Sequence, residues 1–110
     1  MRKRKPTTTM YLKLLRRVAK DVCKRWGLPQ VTITELPGKT RHYGECFERT
    51  KISIRLEKHN GHYLTMGSIL RTLGHELAHT AEWDVDKDHG KEWRREYRRI
   101  MFYIYRKYGK

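Results

Sequence analysis

Histidines at 75 and 79, within the run His75-Glu76-Leu77-Ala78-His79, can act together only if this stretch is helical. At 3.6 residues per turn, positions four apart share a face one turn apart, so both imidazoles can reach a single divalent ion. The flanking residues agree with that requirement. Ile69, Leu70, Leu73, Leu77 and Ala78 recur at helical spacing and predict a helix from about Thr65 to about Glu82. Glu76 stands about 100° round such a helix from His75, so its carboxylate points toward water held by the ion rather than toward the ion itself. Zinc lowers the pKa of its water to roughly 7 and polarises a scissile carbonyl, while a neighbouring carboxylate takes the proton. A shuffled chain of this composition would hold HExxH only about 0.02 times, so the motif is specific.

The remaining sequence must supply a core for that helix. Within 110 residues one modest core is feasible, and a single domain is expected. Residues 1–6 are expected to form a flexible basic arm, and 7–110 a single domain. Thr7, Thr8 and Thr9 offer N-caps to a first helix whose apolar positions are Leu12, Leu15, Val18, Ala19, Val22 and Trp26, and which Gly27 and Pro29 end. From Val31 to Leu56 the period shifts toward two: VTITEL, RHYGECFE and TKISIRLE read as three short strands, the last two as a hairpin around Glu48 to Thr50. Residues 57–63 form a turn at Asn60-Gly61. A third helix follows from about His89 to Tyr108, with Trp93, Tyr97, Ile100, Met101, Ile104, Tyr105 and Tyr108 on one face. The expected class is α+β, in the order α-β-β-β-α-α, with a small antiparallel or mixed three-stranded sheet packed by the motif helix and the C-terminal helix.

A catalytic zinc takes a third protein ligand and keeps one position open. The metzincin pattern, with glycine at 82 and histidine at 85, is excluded because Glu82 and Val85 stand there. His89 is the next histidine, beyond the short acidic loop DVDKD; Glu82, Glu92 and Glu96 are its rivals. An oxyanion stabiliser could come from Tyr97, Tyr43, His42 or His62. Trp93 reads as a core anchor, His59 and His62 as solvated turn residues, and Cys23 and Cys46 as free thiols, since no CxxC or dense cysteine spacing is present.

The stretch from HELAH to His89-Gly90-Lys91-Glu92-Trp93 resembles the SprT-like metallopeptidases, to which Spartan and the similar WLM group are related. Tyr43-Gly44 and the strand from Lys51 to Leu56 extend the likeness less specifically. The resemblance implies a zincin-type core in which His75, His79 and His89 hold zinc and Glu76 is the general base. It also implies cleavage of proteins, notably those crosslinked to DNA, with DNA as activator. Many relatives carry a zinc ribbon or partner-binding tail after the third helix, and none is expected here. DNA recruitment is therefore expected to rest on its basic ends.

The net charge of +14 is concentrated there: +9 over residues 1–25, +6 over 91–110, and −1 between. Lys13, Arg17, Lys20 and Lys24 line one face of the first helix, and Arg94, Arg95, Arg98 and Arg99 the third; these are the candidate nucleic-acid contacts. Without a helix-turn-helix, RRM or zinc-finger signature, contact with the phosphate backbone is expected rather than base reading. No apolar run is long enough to span a membrane or serve as a signal core, so a cytoplasmic protein, monomeric and in reach of DNA, is expected. The leading expectation is a zinc endopeptidase acting on protein substrates. Its alternatives are a basic nucleic-acid binding module with a structural metal, and a latent, self-inhibited peptidase.

Overall fold

A computed structural model of the chain describes residues 5–83 and 90–109. The first helix, α1, runs over Pro6–Trp26. Its start differs from the threonine caps expected. Lys5 is the N-cap and makes no side-chain cap bond, while Pro6 occupies the first turn, where its fixed φ suits a helix and its missing N–H costs nothing. The threonines lie inside the helix, and Thr8 is buried, its hydroxyl 2.8 Å from the Tyr63 hydroxyl. The expected arm is thus shortened at its inner end; residues 1–4 lie outside the described residues. Gly27, at φ 66°, closes α1: its N–H donates to Lys24 O at 3.4 Å and that of Leu28 to Cys23 O at 2.8 Å, a Schellman closure that only a left-handed residue permits.

Three strands follow: β1 (Thr32–Leu36), β2 (Gly44–Phe47) and β3 (Lys51–Arg55). The sheet order is β1-β3-β2, with β3 parallel to β1 and antiparallel to β2. Of the two arrangements expected, the sheet is therefore the mixed one. Ile33 pairs with Ile52, and Ile52 with Cys46, which places these side chains on the core face. The Thr34–Ser53 hydrogen bond of 2.8 Å lies on the exposed face. The β2–β3 hairpin turns through Glu48 and Arg49, both at positive φ (51° and 68°), a conformation unfavourable for side chains with Cβ. The turn is tied down by α2 (Met66–Ala81): Arg49 Nε donates to Thr80 O at 2.9 Å and the Thr80 hydroxyl donates to Arg49 O at 2.7 Å.

Thr65, the expected start of α2, is its N-cap and accepts from the Ser68 N–H at 3.2 Å. The last helix, α3, spans Lys91–Tyr108 with Gly90 as N-cap. The core lies between the sheet and the helices, built from residues such as Leu12, Leu15, Ile52, Ile54, Leu73, Leu77, Ile100 and Ile104. α1 rests on β1, α2 on β2 and β3, and α3 covers α2 from the far side. At Gly74 the α2–α3 contact is so close that a Cβ would stand 2.1 Å from Met101 Sδ. Tyr105, expected on the packed face of α3, is 43% exposed; its neighbours Ile104 and Met101 carry the packing instead. No described helix is long and apolar enough to cross a membrane.

Candidate metal centre

The apolar stripe of α2 buries Leu73, Leu77 and Ala78, and this fixes how far His75 and His79 turn toward solvent. Both histidines are half-buried, and Glu76 is 5% exposed. Their ligand atoms all lie within 4.8 Å of one another, the one such cluster of three or more His, Cys, Asp or Glu among the described residues. The imidazoles are held by α3. Trp93 packs with ring centroids 4.8 Å from His75 and 5.4 Å from His79, and stacks on Tyr97 at 5.1 Å and 6°. Trp93 is buried, as an anchor should be, but the surface it anchors is the histidine pair itself.

Glu76 is set apart electrostatically. Burial, with Glu45 of β2 adding like charge, raises its carboxyl from the ordinary 4.5 to about 7. Gly44 makes the close approach possible: a Cβ there would stand 2.6 Å from Thr72 Cγ2 and 3.1 Å from Glu76 Oε2. An open cleft of about 510 Å³ runs along this edge, lined by His42, Tyr43, Gly44, Ser68, Arg71, Thr72, His75, Glu76 and Tyr97. Two half-buried imidazoles beside a carboxyl poised near neutrality form a donor set suited to a divalent ion of zinc's kind.

The rival ligands stand elsewhere. Glu82 and Glu96 border a separate depression of about 550 Å³ with Arg25, Trp26 and Arg99. The Glu96 carboxylate accepts from Trp26 Nε1 and from Arg99 Nη1, each at 3.1 Å. Glu82 would continue the face of His75 and His79 on a regular helix, but as the C-cap, at φ −113° and ψ 45°, it has left helical geometry. Glu92 is exposed in the first turn of α3. His89 lies outside the described residues. Of the oxyanion candidates, Tyr97, Tyr43 and His42 line the cleft and His62 does not. Burial raises the Tyr97 hydroxyl pKa, the Tyr105 hydroxyl adding to this and Arg71 opposing it. Cys46 keeps to packing, its thiol 3.5 Å from Arg49 O and 3.7 Å from the Thr80 hydroxyl.

Ser68, Arg71 and Thr72 were not anticipated. Their positions at seven, four and three residues before His75 place them on its helical face, a signal present in the sequence. The candidate nucleic-acid contacts Lys13, Arg17, Lys20 and Lys24 are exposed on α1, and Arg94, Arg95, Arg98 and Arg99 on α3. The latter four line a concavity of about 800 Å³ with Lys91 and Glu92. The two helices meet at Asp21, which accepts from the Tyr103 hydroxyl at 2.9 Å, from Lys107 Nζ at 2.8 Å and from the Tyr108 hydroxyl. Arg17 and Lys24 flank Asp21 on the helix surface, four residues before and three after it.

Two solved structures share this fold, both of Wss1 from Saccharomyces cerevisiae. A Wss1 mutant is 19% identical with a TM-score of 0.75, over 92% of this chain and 82% of that one. Wss1 itself is 20% identical with a TM-score of 0.73, over 91% and 80%. No protein of curated function matches the chain in sequence. The SprT-like family matches residues 11–107, spanning all six elements apart from the ends of α1 and α3. With nearly its whole length matched and an HExxH cluster at its open cleft, the chain belongs to the SprT-like family, which supports a metallopeptidase-type function.

Proposed function

We propose that the protein is a zinc-dependent endopeptidase that hydrolyses peptide bonds of protein substrates, working as a cytoplasmic monomer on proteins associated with or crosslinked to DNA. The observation that carries this reading is the placement of a buried Glu76, its pKa raised to about 7, beside two imidazoles at the wall of an open cleft. His75 and His79 would hold zinc, with His89 as third ligand; that Glu82 and Glu96 border another depression supports this choice. Bound there, zinc supplies Lewis acidity that acidifies water and polarises a carbonyl.

The chain's own residues do the rest. Glu76 accepts a proton from the attacking water and passes it to the leaving amine, a task that suits a carboxyl tuned near the working pH. Trp93 keeps both imidazoles oriented. Tyr97, half-buried at the cleft with its hydroxyl pKa raised by burial, is one candidate beside Tyr43 and His42 to donate toward a developing oxyanion. An extended substrate segment can add to the free edge of β2, which borders the cleft through Gly44.

A second reading, a nucleic-acid binding module with a structural metal, draws on the exposed basic residues of α1 and α3. Purified zinc-loaded protein should be incubated with an unfolded protein substrate, with and without chelator and with and without single-stranded DNA. Cleavage that chelator abolishes, zinc restores and DNA accelerates supports the first reading. Metal-tight protein that binds DNA and cuts nothing, itself included, supports the second.

A further inference from the structure

We propose that Arg55 is a positioning residue for the cleft, its buried guanidinium setting the 37–43 loop so that Tyr43 forms the wall facing α2; this rests on the cleft being the substrate site. Arg55 ends β3 and is 6% exposed. Its Nη1 donates to Thr40 O at 2.7 Å and to His59 Nε2 at 3.2 Å, and its guanidinium carbon sits 4.4 Å from the Tyr43 ring centroid. One side chain thus joins β3, the loop ahead of β2 and the 57–63 turn. Because a guanidinium offers only donors, His59 meets it through an imidazole lone pair.

Packing alone does not account for an arginine here. Among the described residues no carboxylate pairs with Arg55, and its Nε–H is buried without an acceptor. A buried cation without a counter-carboxylate costs stability that an apolar side chain of similar length would not. Strand pairing does not require it either, since the Arg55 backbone N–H donates to Tyr43 O at 2.8 Å whatever the side chain. What the guanidinium adds is orientation. It fixes the loop's path at Thr40 and supports the ring of Tyr43, which is 55% exposed and lines the cleft with His75 and Glu76. Lysine keeps the charge but cannot span these partners with one planar fork.

The test uses the full zinc-loaded chain with Arg55→Met and Arg55→Lys, measuring kcat and KM on an unfolded protein substrate, melting temperature, and trypsin cutting after the exposed Lys39 and Arg41. Arg55→Met is expected to melt no lower than the parent, to be cut at those two bonds about tenfold faster, and to raise KM about fivefold with kcat held within about twofold. Arg55→Lys should fall between. A lower melting temperature with unchanged KM and unchanged trypsin cutting would reduce Arg55 to packing and overturn the proposal. If Arg55→Met does not fold, Tyr43→Leu decides: a raised KM with the loop still protected supports the proposal, and an unchanged KM overturns it. A parent that cuts no substrate contradicts the peptidase reading, and the trypsin rates then decide whether Arg55 holds the loop.

Discussion

At the α1–α3 seam, burial of Asp21 pushes its carboxyl pKa up, but hydrogen bonds from Lys107, Tyr108 and Tyr103 outweigh it and the group ends below the usual carboxylate range. On α2, Glu76 is buried more deeply, no donor offsets that burial, and Glu45 adds repulsion, so its carboxyl rises to about 7. The same chemical group is therefore used in two ways. Where donors converge, the charge is locked on and joins two helices; where they are withheld, the proton becomes easy to exchange near neutral pH. The candidate metal centre is built on the second arrangement, and the α1–α3 seam on the first.

The comparison can be broken most sharply at the histidines. His75→Ala or His79→Ala should lower bound zinc at equal protein by more than about tenfold and leave no measurable hydrolysis, read by elemental analysis after dialysis. Full metal occupancy in either variant would remove the centre from α2. A smaller effect concerns the metal-free protein. Because the folded pKa of Glu76 lies above its unfolded value of 4.5, stability is greatest below that value and falls as pH rises toward and through about 7. The decline should amount to roughly 2–3 kcal/mol, and Glu76→Gln should remove it from denaturant midpoints measured between pH 4 and 8.

At the seam the sign reverses. The depressed pKa of Asp21 gives stability that is present above 3.8 and lost as pH falls through the lower folded value. Asp21→Asn should cost about 1–2 kcal/mol at neutral pH and flatten the acid limb below pH 4, while leaving metal content unchanged. Smallest is the effect of single basic residues. Arg17→Ala or Lys24→Ala should each reduce the salt slope of single-stranded DNA binding by about one and leave cleavage of free substrate unaltered. Unchanged slopes would return these residues to solubility.

How far the sequence was legible varies with range. Local signals carried well: the apolar spacing of Leu12 to Val22 located α1, Thr65 marked the start of α2, and Glu48 to Thr50 marked the hairpin. The α1 start was misread because three threonines resemble caps, whereas Pro6 settles the first turn more strongly by fixing φ. Alternation along VTITEL reports which side chains face the core but not which strand lies alongside, so β1 pairing in parallel with β3 was not legible. The candidate centre divides likewise. The histidine pair and Glu76 lie within one turn and could be read directly. Glu96 stood among the rivals to His89, and only the tertiary fold shows it turned toward Trp26 and Arg99. Arg55 gave no signal, because its partners Thr40, Tyr43 and His59 lie in loops that only the fold brings together.

The central claim is that Glu76 moves the proton while the histidines hold the metal. Single-turnover hydrolysis of an unfolded protein by Glu76→Gln, at zinc content matched to the parent, tests it most directly. The account predicts full zinc binding, an unchanged fold and a rate lower by about 10²–10⁴-fold. Cleavage at the parent's rate by the zinc-loaded variant would contradict it.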